Sequence, residues 1–136
     1  MEAHRKELDD IVYKRCHFIV GENQRLLKGC DFLKQNDLKA FGQLMYVSHE
    51  GLSKDYAVSC PESDFLVSTI KEMKGVKGAR QMGGGFGGCI ITLVEKDSAE
   101  KFVSDIQSAY EKKYGKTPDC YTTIISEGAH IVKLNA

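Results

Sequence analysis

Apolar residues recur at intervals of three and four through the first thirty positions: Leu8, Ile11, Val12, Cys16, Ile19, Leu26 and Leu27, with Asn23 in the same series. That period, with charges on the other side, predicts an amphipathic helix whose stop is Gly29 or the stretch just after it. No Ser, Thr, Asp or Asn cap precedes the series, and Met1 lies almost on its first turn. A helix starting so abruptly is what a chain cut from a larger protein looks like. A second helix is expected from an Asn36 cap, carrying Leu38, Phe41, Leu44, Met45 and His49 towards Leu52. A third follows Ser59-Cys60-Pro61-Glu62, where Ser and Glu stand as a capping box and Pro sits in the first turn. Phe65, Leu66, Thr69, Ile70 and Met73 keep its helical period until Gly75.

The pattern then changes. Val76 to Met82 reads as a strand, Gly83 to Gly88 as a loop and Cys89 to Val94 as a buried strand. Asp97-Ser98-Ala99-Glu100 opens a helix to about Tyr114, closed by Gly115 with Pro118 beyond. Cys120 to Ile125 and Ala129 to Leu134 read as two further strands joined by Ser126-Glu127-Gly128. Three helices, two strands, a helix and two strands predict an α+β domain with a four-stranded, mainly antiparallel sheet packed by helices. No repeat or linker divides residues 1–136, so the length holds one domain with one core.

Composition narrows the function. Nineteen basic and nineteen acidic residues leave no net field, and their interspersion makes no patch for nucleic acid or an acidic membrane. The five cysteines are odd in number and form no CxxC, so neither a disulfide framework nor a metal knuckle is expected. No signal-like apolar segment follows Met1, and the longest apolar runs are far too short to span a bilayer. The expectation is a soluble, cytoplasmic protein with reduced thiols and no resident metal.

Five glycines in the six residues from Gly83 to Gly88 need a separate explanation. Ordering glycine is entropically costly, so a cluster this dense implies unusual dihedrals or a very close approach. Gly83, Gly85 and Gly88 fit G-x-G-x-x-G, but a strand follows the loop where a dinucleotide site requires a helix. The Walker loop fails too, since Cys89 and Ile90 follow Gly88 in place of Lys and Ser or Thr. Two readings remain on pattern alone: a ligand-free glycine hairpin, and a loop whose bare amides approach an anion.

The flanking residues carry a resemblance. Gly78-Ala79-Arg80-Gln81-Met82-Gly83-Gly84-Gly85-Phe86-Gly87-Gly88-Cys89 resembles the glycine-rich third motif of galactokinases, which typically reads G-A-R-M-T-G-G-G-F-G-G-C. Ser48 to Asp64 is similar to the family run S-H-x-S-L-x-x-D-Y-x-V-S-C-x-E-L-D, and Asp37 to Met45 resembles the helix before it. The likeness implies a GHMP kinase C-terminal domain, ferredoxin-like in fold, with the active site in a cleft shared with an amino-terminal lobe. It further implies phosphoryl transfer from Mg-ATP to the C1 hydroxyl of galactose. The sugar signature, the Gly/Ser-rich phosphate loop and the catalytic acid belong to that other lobe and are not found in this chain. No catalytic residue is therefore assigned here, and the isolated chain is expected to be inactive. By position, Gly83, Gly84, Gly85, Phe86, Gly87 and Gly88 line the cleft. Gln81-Met82 departs from the usual Met-Thr, so the Thr hydroxyl is absent and the Gln81 amide is the polar group nearby.

Supporting roles fall on Arg80, for a phosphate, a carboxylate across the lobes or a structural ion pair, and on Asp55 and Tyr56, which hold the connection between two helices. Ser48 and His49 are helical neighbours pointing different ways, so with Asp55 they make no triad. Alternatives stay open: the same lobe of a close N-acetylgalactosamine kinase, a kinase-like sugar and ATP sensor without catalysis, and an independent α+β ligand-binding module.

Overall fold

A computed structural model describes residues 2–128 and residue 131. After a 3-10 turn over Glu2–Glu7, the first helix, α1, covers Asp10–Lys34. It does have a cap: the Asp9 carboxylate accepts from the backbone N–H of Ile11 at 2.8 Å and of Val12 at 3.4 Å. The cap lies inside the apolar series, not ahead of it, and α1 does not stop at Gly29. There the missing side chain lets the Phe41 ring approach, and a Cβ at Gly29 would stand 3.3 Å from Phe41 Cε2. The helix continues past this contact.

The buried face of α1 is also not the apolar series. Phe18 and Gly29 are buried and Glu22 and Arg25 half-buried, while Val12, Ile19, Leu26 and Leu33 are 46, 45, 68 and 46% exposed. Paired polar groups face inward and a stripe of aliphatic side chains faces out.

Helix α2 covers Leu38–Lys54. Its cap is Asp37, whose carboxylate accepts from the Ala40 N–H at 2.9 Å. Asn36 instead takes the left-handed turn before it, with φ 57°. Helix α3, Pro61–Lys71, has Pro at its start as expected, but Cys60 is the capping position and no side chain caps it. The Ser59 hydroxyl donates elsewhere, to Asp64 at 2.6 Å, with Gln81 Oε1 a weaker acceptor at 3.3 Å.

Strands β1, Val76–Gln81, and β2, Ile90–Val94, pair antiparallel, with Gln81 opposite Ile90 and a register shift between Val76 and Gly78. A 3-10 turn, Lys96–Ser98, leads into α4, Ala99–Tyr114. Gly115 ends it left-handed at φ 68°. The core joins Val67 and Ile70 of α3, Ala79 of β1 and Ile106 of α4. On its other edge β1 meets α2 almost backbone to backbone: a Cβ on Gly42 would lie 1.9 Å from the Lys77 carbonyl oxygen.

The four-stranded sheet is corrected to two strands among the described residues. Residues 120–125 form no strand: Cys120 packs against the core, but Tyr121, Ile124 and Ile125 are 87, 85 and 90% exposed. A strand exists only through a hydrogen-bonded neighbour, and apolar sequence alone supplies none. The expected strand over 129–134 lies outside the described residues except for Ile131, which belongs to no strand.

Candidate functional site

The glycine loop closes the β1–β2 hairpin, where the Met82 N–H donates to the Cys89 carbonyl at 2.9 Å. Gly83, Gly85 and Gly87 have φ of 80, 92 and 108°, the region in which a side chain strains the backbone. Phe86 shares that conformation at φ 57° despite its side chain. Its N–H donates to the Val58 carbonyl at 2.7 Å, which holds the loop tip against the segment between α2 and α3. A Cβ on Gly85 would meet that same carbonyl oxygen at 2.6 Å, and one on Gly88 would meet the Met82 carbonyl oxygen at 2.8 Å. Four of the five glycines are thus required by the hairpin itself.

Gly84 is different. Its φ is not positive and an added Cβ would meet nothing within 4 Å. Beside it, Phe86 is 76% and Met82 45% exposed. The loop is a fixed, outward ridge of backbone with one glycine that the described residues do not require.

Beneath the ridge lies a buried polar network. The Gln81 N–H points to α2 and donates to His49 Nδ1 at 3.2 Å, so the neutral ring carries its proton on Nε2. That nitrogen faces Asp64 Oδ1 at 3.2 Å, in ion-pair range but poorly aligned for a hydrogen bond. Burial pushes the His49 pKa below its ordinary 6.5, against the opposing pull of Asp64, and Arg80 adds to the depression. Asp64 also accepts from Ser59 Oγ at 2.6 Å and Ser53 Oγ at 2.9 Å. The Gln81 side chain, 1% exposed, donates through Nε2 to the Val58 carbonyl at 3.1 Å and accepts from Ser59 at 3.3 Å.

The Gln81 amide is therefore turned inward, away from the outer face of the loop. Met82 is the residue that faces out. Arg80 takes the ion-pair role: its Nη1 lies 3.6 Å from Glu22 Oε2 and its Nε donates to the Gln81 carbonyl. Glu22 also accepts from Ser48 Oγ at 2.6 Å and pairs with Arg25. Ser48 and His49 accordingly serve different networks and make no triad. The Tyr56 ring packs on Phe18 at 5.5 Å, and its N–H and that of Asp55 both donate to the Gly51 carbonyl, so both residues fasten the end of α2. The five cysteines are free thiols, and among the described residues no His, Cys, Asp and Glu cluster could hold a metal ion. No helix of the described residues is long and apolar enough to cross a membrane.

Sequence reasoning placed the loop but missed its support by His49, Ser59, Asp64 and the Val58 carbonyl. All four lie within the Ser48 to Asp64 run, so the signal was that run's length, not its residue types.

A hairpin ridge braced by two helices on an α+β scaffold defines a kinase domain by its match: residues 31–112 fit the family described as GHMP kinases C terminal. The chain belongs to the GHMP kinases, as their C-terminal domain. Among the relatives it matches are galactokinases. It is 41% identical to the galactokinase of Roseiflexus sp. over 136 residues, all of this chain and 35% of that protein. Against that of Clostridium acetobutylicum it is 44% identical over 133 residues, 94% of this chain and 34% of the relative. The crystal structure of Lactococcus lactis galactokinase complexed with galactose superposes with a TM-score of 0.80 at 35% identity, over 85% of this chain and 30% of that one. The chain spans about a third of the length of the curated relatives it matches.

Proposed function

We propose that this chain is the C-terminal lobe of a galactokinase, which transfers the γ-phosphoryl group of ATP to the C1 hydroxyl of galactose. The observation that carries the reading is Gly84: a glycine with ordinary φ and open space around it makes sense where something from outside comes too close for a side chain. The loop's role is to bring rigid backbone against the bound sugar or phosphates and to exclude water there. Phosphoryl transfer depends on positioning and charge neutralisation, for which a braced ridge is suited. On this reading the base for the sugar hydroxyl and the protein ligands of the Mg2+ that accompanies ATP belong to the rest of the enzyme. The outward stripe of Val12, Ile19, Leu26 and Leu33 supports an amino-terminal lobe as the chain's partner, because a lone soluble domain rarely leaves such a surface uncovered. The complete enzyme works in the cytoplasm.

The test is Gly84→Ala in the full-length enzyme, assayed as galactose-dependent ADP formation. Turnover falls at least about tenfold while the melting temperature stays within about 2 °C. Normal kinetics would remove the loop from the reaction. Sugar binding without turnover in the unaltered protein would mark a sensor instead.

A further inference from the structure

The loop's position depends on one carbonyl. Val58 O receives the Phe86 N–H from the loop tip at 2.7 Å and the Gln81 Nε2–H from the strand base at 3.1 Å. Two donors converge on it, one from each end of the same hairpin arm. Val58 follows Ala57, a non-glycine residue at φ 59°, and its own N–H donates to Leu52 O. The segment is thus bent into an unfavourable backbone conformation in order to present that oxygen.

We propose that Gln81 is a positioning residue for the glycine loop. Its buried carboxamide is a strut that fixes the Val58 carbonyl where the loop tip docks. Its Nε2 holds Val58 O, and its Oε1 lies 3.3 Å from the Ser59 hydroxyl, whose single proton is drawn mainly to Asp64 at 2.6 Å. The backbone N–H of Gln81 is held by His49. The glutamine is therefore locked by α2, α3 and the connection between them, and transmits that fixity to the loop. Methionine, usual at this position in the motif the sequence resembles, fills similar space but offers no donor to the carbonyl. A carboxylate of the same length would place an acceptor against it. Loop order in this chain rests on a polar strut that such an apolar residue does not supply.

The strut is a property of this chain. Its effect on turnover rests on the kinase reading above. The test measures both in the full-length protein with Gln81→Met and Gln81→Glu. Hydrogen–deuterium exchange of a peptide covering residues 82–88 reports the loop, and peptides of α3 report the core. The expected result is loop exchange about tenfold faster in both variants with α3 unchanged, accompanied by a kcat about tenfold lower and a KM for galactose within twofold. Unchanged loop exchange overturns the strut whatever happens to activity. Faster loop exchange with an unaltered kcat overturns the positioning role. Faster exchange in α3 of both variants makes Gln81 a core residue and also overturns it. If the unaltered protein phosphorylates no sugar, the kinase reading fails, and the exchange measurement still decides the strut.

Discussion

His49 sits at the junction of α2, β1 and the start of α3, and its accepting Nδ1 makes its neutral form part of the fold. Protonation would put a second N–H against the Gln81 N–H. The pKa is depressed below 6.5 by burial, so between the folded and unfolded values the unfolded chain binds the extra proton. This contribution is fully present above about pH 6.5 and declines as the pH falls towards the folded pKa. Urea unfolding at pH 7.5 and 5.5 should show stability lost on acidification, at no more than about 1.4 kcal/mol per pH unit from this group. His49→Gln should flatten the difference, although it lowers stability at both pH values. An equal pH dependence in the two proteins would show that His49 stays neutral or titrates alike in both states.

At the scale of elements, the crossing of α2 over β1 is set by glycine on both sides. A Cβ on Gly42 would lie 1.9 Å from Lys77 O, and one on Gly78 would lie 2.5 Å from Gly42 Cα. Both obstacles are backbone, so nothing flexible can move aside. Gly42→Ala should lower stability by at least about 2 kcal/mol in chemical denaturation, since β1 must leave α2 to admit it. Gly21→Ala is the control: its nearest neighbour is the Arg25 guanidinium at 3.1 Å, a side-chain end and not backbone, and alanine favours the helix by up to about 1 kcal/mol. Comparable losses at both sites would refute the close crossing. The sequence announced these helices because Phe41, Met45, Leu66 and Ile70 repeat with the right period. It misled on α1, where the aliphatic series Val12, Ile19 and Leu26 is outward and the inward face carries Glu22 and Arg25. Periodicity locates an apolar face but does not say what covers it, and charged residues count as buried only when their partners, here Ser48 and Arg80, are known. Caps slipped by one residue for a related reason: Asn36 and Asp37 are both good caps, and the backbone chose between them.

At the scale of the whole molecule, the glycine-rich loop was legible in the sequence and its bracing was not. The loop's composition is local, whereas the strut joins Val58, Gln81 and Phe86 across separations that no short pattern records. The third strand was over-read, because Cys120 to Ile125 has strand composition without a described neighbour to pair with, and the fourth falls outside the described residues. The core of Val67, Ile70, Ala79 and Ile106 is continuous across three elements, which suits cooperative folding. The chemistry is less complete. On the proposed reading the rest lies on a second lobe, since Arg80 is engaged by Glu22 and the glycine ridge carries no charged side chain. Phosphoryl transfer needs charge neutralisation along the phosphates and an oriented hydroxyl, and one ridge provides neither. The purified 136-residue chain should therefore unfold in a single cooperative transition yet produce no ADP above background with galactose and Mg-ATP. Adding the remainder of the enzyme as a separate polypeptide should restore turnover if the outward stripe on α1 re-forms its interface. Galactose-dependent ADP from the chain alone would overturn the proposed division of labour between lobes, and a non-cooperative melt would show that this domain does not fold as one unit by itself.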